Sequence, residues 1–342
     1  MLARVFHEWE RRLAAAAEHR VVRQFEWGQD WVDGLDSSAP DSDDVLGKLH
    51  AWADQTVANS EAFFALPPGP PSQAFSLAGD LLSFPSAVTT PHPENNTVRA
   101  RFFPDASARG RKRAVLVLPQ WNAEPDGHAG LCRLLNRFGI SALRLSLPYH
   151  DGRMPPELRR ADYIVSANIG RTMQVCRQAV LDARRAIGWL RDQGYESNGI
   201  LGTSLGSCLS MLTAAHEPLV RAAALNLISP YFADVIWEGL STAHVREGLD
   251  GRIDLDALRR VWMPISPFPY LERMRGKRTL LVYARYDLSF PVALSRMLVD
   301  EFRARGVDPD VYVLPCGHYS IGKPPFKWID AFVLCRFMNR SL

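Results

Sequence analysis

The chain lacks the marks of several protein classes. None of its five cysteines, Cys132, Cys176, Cys208, Cys316 and Cys335, sits in a Cys-x-x-Cys pair, and their number is odd. That pattern suggests neither a zinc site nor a disulfide framework, and it fits reduced thiols in an intracellular enzyme. No stretch is apolar for long enough to span a bilayer. The amino-terminal segment does not read as a signal peptide, because Arg4, His7, Glu8, Glu10, Arg11 and Arg12 interrupt its apolar residues. A cytoplasmic location is expected. The formal net charge is only +3 at pH 7, too small to point to nucleic acid or to an anionic membrane. The most basic run, Arg109-Gly110-Arg111-Lys112-Arg113, has no interleaved aromatics and reads as a solvated turn. There is no His-Glu-x-x-His, no Gly-x-x-x-x-Gly-Lys and no dinucleotide fingerprint, so no metal, nucleotide or redox cofactor is expected.

What is present is an ordinary globular composition. The 342 residues are 47% hydrophobic and 23% charged, enough for one large α/β domain with additions or for two smaller domains. The most informative stretch begins at Ser197. Gly199-Ile200-Leu201 reads as a short buried strand, Gly202-Thr203-Ser204-Leu205-Gly206 as a tight turn, and the residues through Met211 and Leu212 as a small-residue helix. A serine at the centre of Gly-x-Ser-x-Gly, between a strand and a helix, is a nucleophile elbow. The turn must be sharp for the hydroxyl to project from the sheet. Gly202 and Gly206 must be small because the helix folds back on the strand. Ser204 would also lie at a helix N-terminus, where free N–H groups and the dipole favour developing negative charge.

Ahead of this stretch the pattern is first helical. Val5, Trp9, Leu13, Ala17, Val21 and Phe25 recur every four residues, which predicts a helix over Leu2 to Trp27. A second helix is expected from Asp43 or Asp44 to about Phe64, stopped by Pro67-Pro68-Gly69-Pro70-Pro71. These helices form an extension over residues 1–71, read as packing on the rest of the chain. Strand patterns follow: Leu81 to Phe84 paired antiparallel with Thr97 to Phe103, then the continuous apolar run Ala114 to Leu118, which suits a buried parallel strand. From there strands and helices alternate. Helices are expected over Gly127 to Arg137, Thr172 to Asp192, Pro291 to Arg303 and Pro325 to Met338. The intervening strands are Ile140 to Leu145, Arg221 to Ile228, Thr279 to Ala284 and Asp310 to Leu314. This predicts an α/β fold with a doubly wound, mainly parallel sheet over residues 72–342, and a small cap insertion at about 230–271.

In such sheets active groups collect past the carboxyl ends of strands. Asp287 follows the strand Leu280 to Ala284, and His318 follows Val311 to Leu314. With Ser204 they give the chain order Ser, Asp, His. In this order, and in its elbow, the sequence resembles the α/β-hydrolase superfamily from about Leu81 to the C-terminus. A serine hydroxyl is a weak nucleophile near neutral pH, and an imidazole can take its proton and return it to a leaving group. A carboxylate holds the imidazole tautomer and stabilises imidazolium. Ser204 is therefore the candidate nucleophile, His318 the base and acid, and Asp287 the orienting acid. Asp234, after the preceding strand, is the rival acid. An oxyanion needs two aimed N–H donors. Leu205 is one candidate; Trp121 is the other, with Gln120 in reserve, since Pro119 has no N–H. Pro119-Gln120 stands here in place of the family's frequent His-Gly.

Tyr149, His150, Tyr286, Phe290 and Tyr319 fall in loops at the same edge and are candidates to line a substrate cleft. Arg153 is a candidate partner for a substrate carboxylate. The expected function is a serine hydrolase cleaving a carboxylic ester through an acyl-Ser204 intermediate, acting on a small-molecule ester. Alternatives are a non-catalytic protein binding a ligand or partner, and a membrane-associated lipid hydrolase or acyltransferase. Membrane contact is the less favoured reading, and the oligomeric state is open.

Overall fold

Alternating apolar side chains run through the centre of a nine-stranded sheet. The computed structural model describes residues 2–32, 35, 42–69, 72–106 and 112–342. Its strands are β1 (Ser76–Ala78), β2 (Leu81–Pro85), β3 (Thr97–Phe103), β4 (Arg113–Leu118), β5 (Ser141–Leu145), β6 (Ser197–Thr203), β7 (Val220–Asn226), β8 (Arg278–Ala284) and β9 (Asp310–Leu314). They are ordered β1-β2-β3-β5-β4-β6-β7-β8-β9. The first three strands pair antiparallel, β3 meets β5 antiparallel, and every pairing from β5 to β9 is parallel. Successive residues of β4 serve opposite faces: Leu116 and Leu118 join one core, Val115 and Val117 the other. A strand buried on both faces must be apolar throughout, which is why these segments read as continuous runs.

The amino-terminal region departs from its periodicity. Helix α1 (Leu2–Ala15) stops well short of Trp27. Beyond it His19 has φ 60°, and the backbone becomes extended. Glu26 then pairs with a later segment: its N–H donates to the Ala167 carbonyl at 3.1 Å, and its carbonyl accepts from Ile169 N–H at 2.9 Å. Those tertiary hydrogen bonds replace the helical ones that the stripe implied. The inward face of α1 is also turned by one position. Glu10 and Ala14 are buried, whereas Val5 is 60% exposed. Helices α2 (Ser42–Ala58) and α3 (Ser60–Phe63) follow, with Val45, Leu49 and Phe64 in the core. The expected caps Asp43 and Asp44 lie outside the described side chains. Pro70, Pro71 and residues 109–111 of the basic run lie outside the described residues.

Helices α4 (Ala129–Arg137), α5 (Ile169–Asp192) and α6 (Leu205–His216) connect the central strands. Between β7 and β8 come α7 (Phe232–Glu238), α8 (Ala243–Leu249) and α9 (Leu255–Val261), then α10 (Val292–Ala304) and α11 (Phe326–Ser341) at the end. Met173 and Val180 of α5 and Leu209 and Leu212 of α6 pack on one face of the sheet. Leu135 of α4 and Leu334 and Met338 of α11 pack on the other. Among the described residues, no helix is long and apolar enough to cross a membrane.

Arg153, a candidate for a substrate carboxylate, is instead fully buried and pairs with equally buried Asp182 at 2.8 Å. Its guanidinium also donates to the carbonyls of Asn95 (2.8 Å) and Ser146 (3.0 Å), and Asp182 accepts from Ala87 N–H at 2.9 Å. The long loop after β5 dives inward rather than lining a cleft, and this pair anchors it. Substituting Arg153→Met leaves a buried carboxylate without its cation. A loss of about 3–5 kcal/mol in unfolding free energy is expected, to be read from urea denaturation against wild type.

Candidate active site

Two glycines set the elbow. A Cβ at Gly202 would lie 2.1 Å from the Gly206 carbonyl oxygen, and one at Gly206 would lie 2.2 Å from the Leu118 carbonyl oxygen. Only glycine permits β4, β6 and α6 to approach this closely. Ser204 between them takes φ 55° and ψ −122°, a conformation costing a non-glycine residue about 1–3 kcal/mol and maintained by its surroundings. The turn is pinned: Ser204 N–H donates to the Asn226 carbonyl at 2.8 Å, and Ser207 Oγ donates to the Ser204 carbonyl at 2.6 Å.

The side chain of Ser204 meets residues from two other strand ends. Its Oγ lies 3.0 Å from His318 Nε2, and His318 Nδ1 lies 2.9 Å from Asp287 Oδ2. The other Asp287 oxygen accepts from the N–H groups of Ser289 and Phe290, both at 2.7 Å. With both oxygens committed, Asp287 is fixed in orientation, and Nδ1 of His318 is the donor. The Phe290 ring stacks on the imidazole at 5.0 Å. Burial by itself pushes the His318 pKa down, but the charge and hydrogen bond of Asp287, with a contribution from Glu10, outweigh it and raise the value above 6.5. Asp234, the rival acid, is engaged elsewhere. Both its oxygens accept from the Arg259 guanidinium, at 2.9 and 2.8 Å.

The oxyanion candidates line the same spaces as Ser204: Gln120 and Trp121 the larger cavity, Leu205 and Trp121 a small notch. Leu205 is the first residue of α6, so its N–H has no acceptor within the helix. Across the cavity, Asn122 N–H donates to His150 Nε2 at 3.0 Å. That leaves the N–H groups of Gln120 and Trp121 without a backbone acceptor among the described residues. The Trp121 indole donates to the Ala161 carbonyl at 2.9 Å, and Ala161 N–H donates to Asn122 Oδ1 at 2.8 Å, so the loop is held from outside.

The cleft candidates divide. Tyr319 lines a cavity of about 940 Å³ that also contains Ser204, His318, Gln120 and Trp121. Phe290 lines a notch of about 30 Å³ on the other side of Ser204, with Leu205, Cys208, Phe232, Val235 and Ile236. The remaining three do not line either space. Tyr149 is fully buried; its N–H donates to Asn95 Oδ1 at 3.1 Å and its hydroxyl meets His92 Nδ1 at 3.1 Å. His150 is buried too, and burial pushes its pKa down to about 4. The neutral ring places Nδ1–H on the Pro148 carbonyl and leaves Nε2 to accept from Asn122, so it braces the loop after β4. Tyr286 is covered by α1, its ring stacked on Phe6 at 4.6 Å.

Glu10 is the residue the periodicity concealed. Fully buried, it accepts from Tyr319 N–H at 2.7 Å and Ser320 N–H at 2.9 Å, the two residues after His318. A Cβ at Gly317 would lie 2.3 Å from the Glu10 carboxyl carbon, so the His318 loop closes tightly around this carboxylate. The available signal was Phe6-x-x-x-Glu10-x-x-x-Ala14, a second four-residue spacing beside the apolar one.

No family model and no curated protein matches the sequence. The fold does match solved structures. Acetyl xylan esterase 1 from Thermoanaerobacterium superposes with TM-score 0.62 at 14% identity, over 86% of this chain and 98% of that one. Acetyl xylan esterase from Paenibacillus gives 0.60 at 14%, over 87% and 99%. The acylaminoacyl peptidase of Pyrococcus horikoshii gives 0.57 at 15%, over 83% of this chain and 43% of that longer one. These neighbours are α/β-hydrolases, and the chain has the α/β-hydrolase fold.

Replacing Glu10 by Ala strands two buried N–H donors beside His318. A stability loss of about 2 kcal/mol or more is expected, together with faster hydrogen exchange at the Tyr319 and Ser320 amides. Unchanged protection of those two amides would show that Glu10 does not hold the loop.

Proposed function

We propose that the protein is a serine hydrolase that cleaves carboxylic esters of short acyl groups through an acyl-Ser204 intermediate. The observation that carries this reading is the unbroken line of hydrogen-bonding contacts from Ser204 Oγ through His318 to Asp287, opening onto a cavity. His318 Nε2 takes the hydroxyl proton as Oγ bonds to the ester carbonyl carbon. The oxyanion faces the N–H groups of Leu205 and Trp121, each such donor contributing roughly 10²–10³ in kcat. Collapse breaks the ester bond, and the imidazolium returns its proton to the departing alcohol. Water then repeats the sequence on the acyl-enzyme, giving the carboxylic acid and free Ser204. The notch beside Ser204, about 30 Å³, is a small fraction of the neighbouring cavity of about 940 Å³. It suits an acyl group of one or two carbons, which leaves the larger cavity to the alcohol. The helices α7 to α9 serve as the cap.

Labelling with a fluorophosphonate probe is expected for wild type and not for Ser204→Ala, whose kcat on 4-nitrophenyl acetate should fall on the order of 10⁶-fold. Asp287→Asn should lose about 10⁴-fold, whereas Asp234→Asn should keep activity within an order of magnitude of wild type. Labelling of Ser204→Ala equal to wild type would sink the assignment.

The sign of the pH dependence follows from His318. The imidazole must be neutral to accept a proton, and its pKa is raised. kcat/KM should therefore decline as pH is lowered through a value above 6.5. In Asp287→Asn the burial contribution dominates, and the midpoint of that acid limb should move to lower pH. A profile with the midpoint unchanged in the variant would contradict the pairing.

A further inference from the structure

We propose that the large cavity beside Ser204 is an anion subsite, so that the alcohol portion of the substrate carries a negatively charged group such as a carboxylate, recognised by Arg20 and Arg160. This rests on the reading of Ser204 as nucleophile and specifies what leaves from it. The cavity wall is one-sided in charge. Its cations are Arg20, Arg133, Arg137, Arg160 and Lys327, and its one carboxylate among the described residues is Asp330. Asp330 accepts from Asn226 Nδ2 at 2.9 Å, and burial raises its pKa to about 7. His128, also on the wall, is pushed down to about 4 by burial and is neutral. A concave surface of one sign concentrates ligands of the other.

Arg20 and Arg160 are held close to the chemistry. Arg20 Nη2 donates to the Tyr319 hydroxyl at 2.9 Å, on the residue after His318. The Arg160 guanidinium lies 5.4 Å from the centre of the Trp121 ring, on the loop after β4. Among the described residues neither has an acceptor at Nε, and both Nε atoms are buried. Arg160 Nε forms an ion pair with Asp162 Oδ1 at 3.7 Å, beyond hydrogen-bond reach, while the other Asp162 oxygen accepts twice from Arg23 at 3.2 Å. Arg160 Nη1 also donates to the Glu18 carbonyl, at 3.3 Å. Glu10, the other acid nearby, is committed to the Tyr319 and Ser320 N–H groups. His244 brings no charge either: burial first, then Arg160 and Arg20, push its pKa down to about 4. A flat two-oxygen anion in the cavity can pair with the guanidinium groups of Arg20 and Arg160 through charge-assisted hydrogen bonds.

The test compares 4-acetoxybenzoate with methyl 4-acetoxybenzoate. The acetyl group, the aromatic ring and the scissile bond are the same, and only the distal charge differs. The rate constants are divided by the hydroxide-catalysed rate of each ester. Wild type is expected to favour the carboxylate in kcat/KM by about tenfold or more, the scale of a hydrogen bond to a charged group, with the preference shrinking at high ionic strength. The ratio should fall toward one in Arg20→Met and Arg160→Met, and Arg160→Lys should restore part of it. A wild-type ratio near one, or the same ratio in both Met variants, overturns the proposal. Fluorophosphonate labelling of the same preparations separates the two readings. Labelling at Ser204 without charge preference refutes the anion subsite alone, whereas absence of labelling refutes the nucleophile.

Discussion

The close approach of three backbones at one turn underlies the rest of the structure. The turn carrying Ser204 exists because α6 doubles back on β6 while both press on the end of β4, at separations only glycine allows at positions 202 and 206. That contact holds Ser204 in a conformation a free peptide would leave. The serine and the start of α6 are thus positioned by one packing event. A larger residue at either glycine would displace both together, since rigid, densely packed interiors transmit a local misfit.

Around this turn the machinery is braced from outside the sheet. Strand ends deliver Asp287 and His318, but the orientation of the imidazole depends on atoms brought from far along the chain. Glu10, on the amino-terminal helix, receives two N–H groups of the His318 loop. Arg20 reaches the neighbouring tyrosine hydroxyl, and His150 fixes the loop after β4 through Asn122. Buried polar groups of this kind contribute little net stability when satisfied and are expensive when broken. They therefore specify geometry more than they add stability. The amino-terminal segment is part of the site's framework, although the strands and elbow are legible without it.

Several residues were legible in type and misplaced in role. Tyr149, His150 and Arg153 stand in a loop that follows a central strand, and loops at that edge usually line clefts. Here the loop folds inward, because Arg153 finds a buried carboxylate in Asp182 and Tyr149 finds partners in Asn95 and His92. Tyr286 stands at the correct strand end but is roofed by Phe6. Helix α1 showed the opposite error. Its apolar stripe suggested that Val5 and Trp9 faced inward, yet the buried face carries Glu10, since the His318 loop offers two N–H groups that need an acceptor.

Local pattern determined the strands from β2 to β9, the elbow and the order Ser, Asp, His, because periodicity and glycine spacing report short-range constraints that a single segment carries within itself. Only the tertiary structure decided that Asp287 rather than Asp234 meets His318, that helix α1 ends at Ala15, and that Arg20 and Arg160 line the cavity beside Ser204. Each of those outcomes depends on which distant group arrives to satisfy a buried donor or acceptor. No one-dimensional spacing encodes that pairing; it is set when the sheet closes and every polar atom removed from water must find a partner.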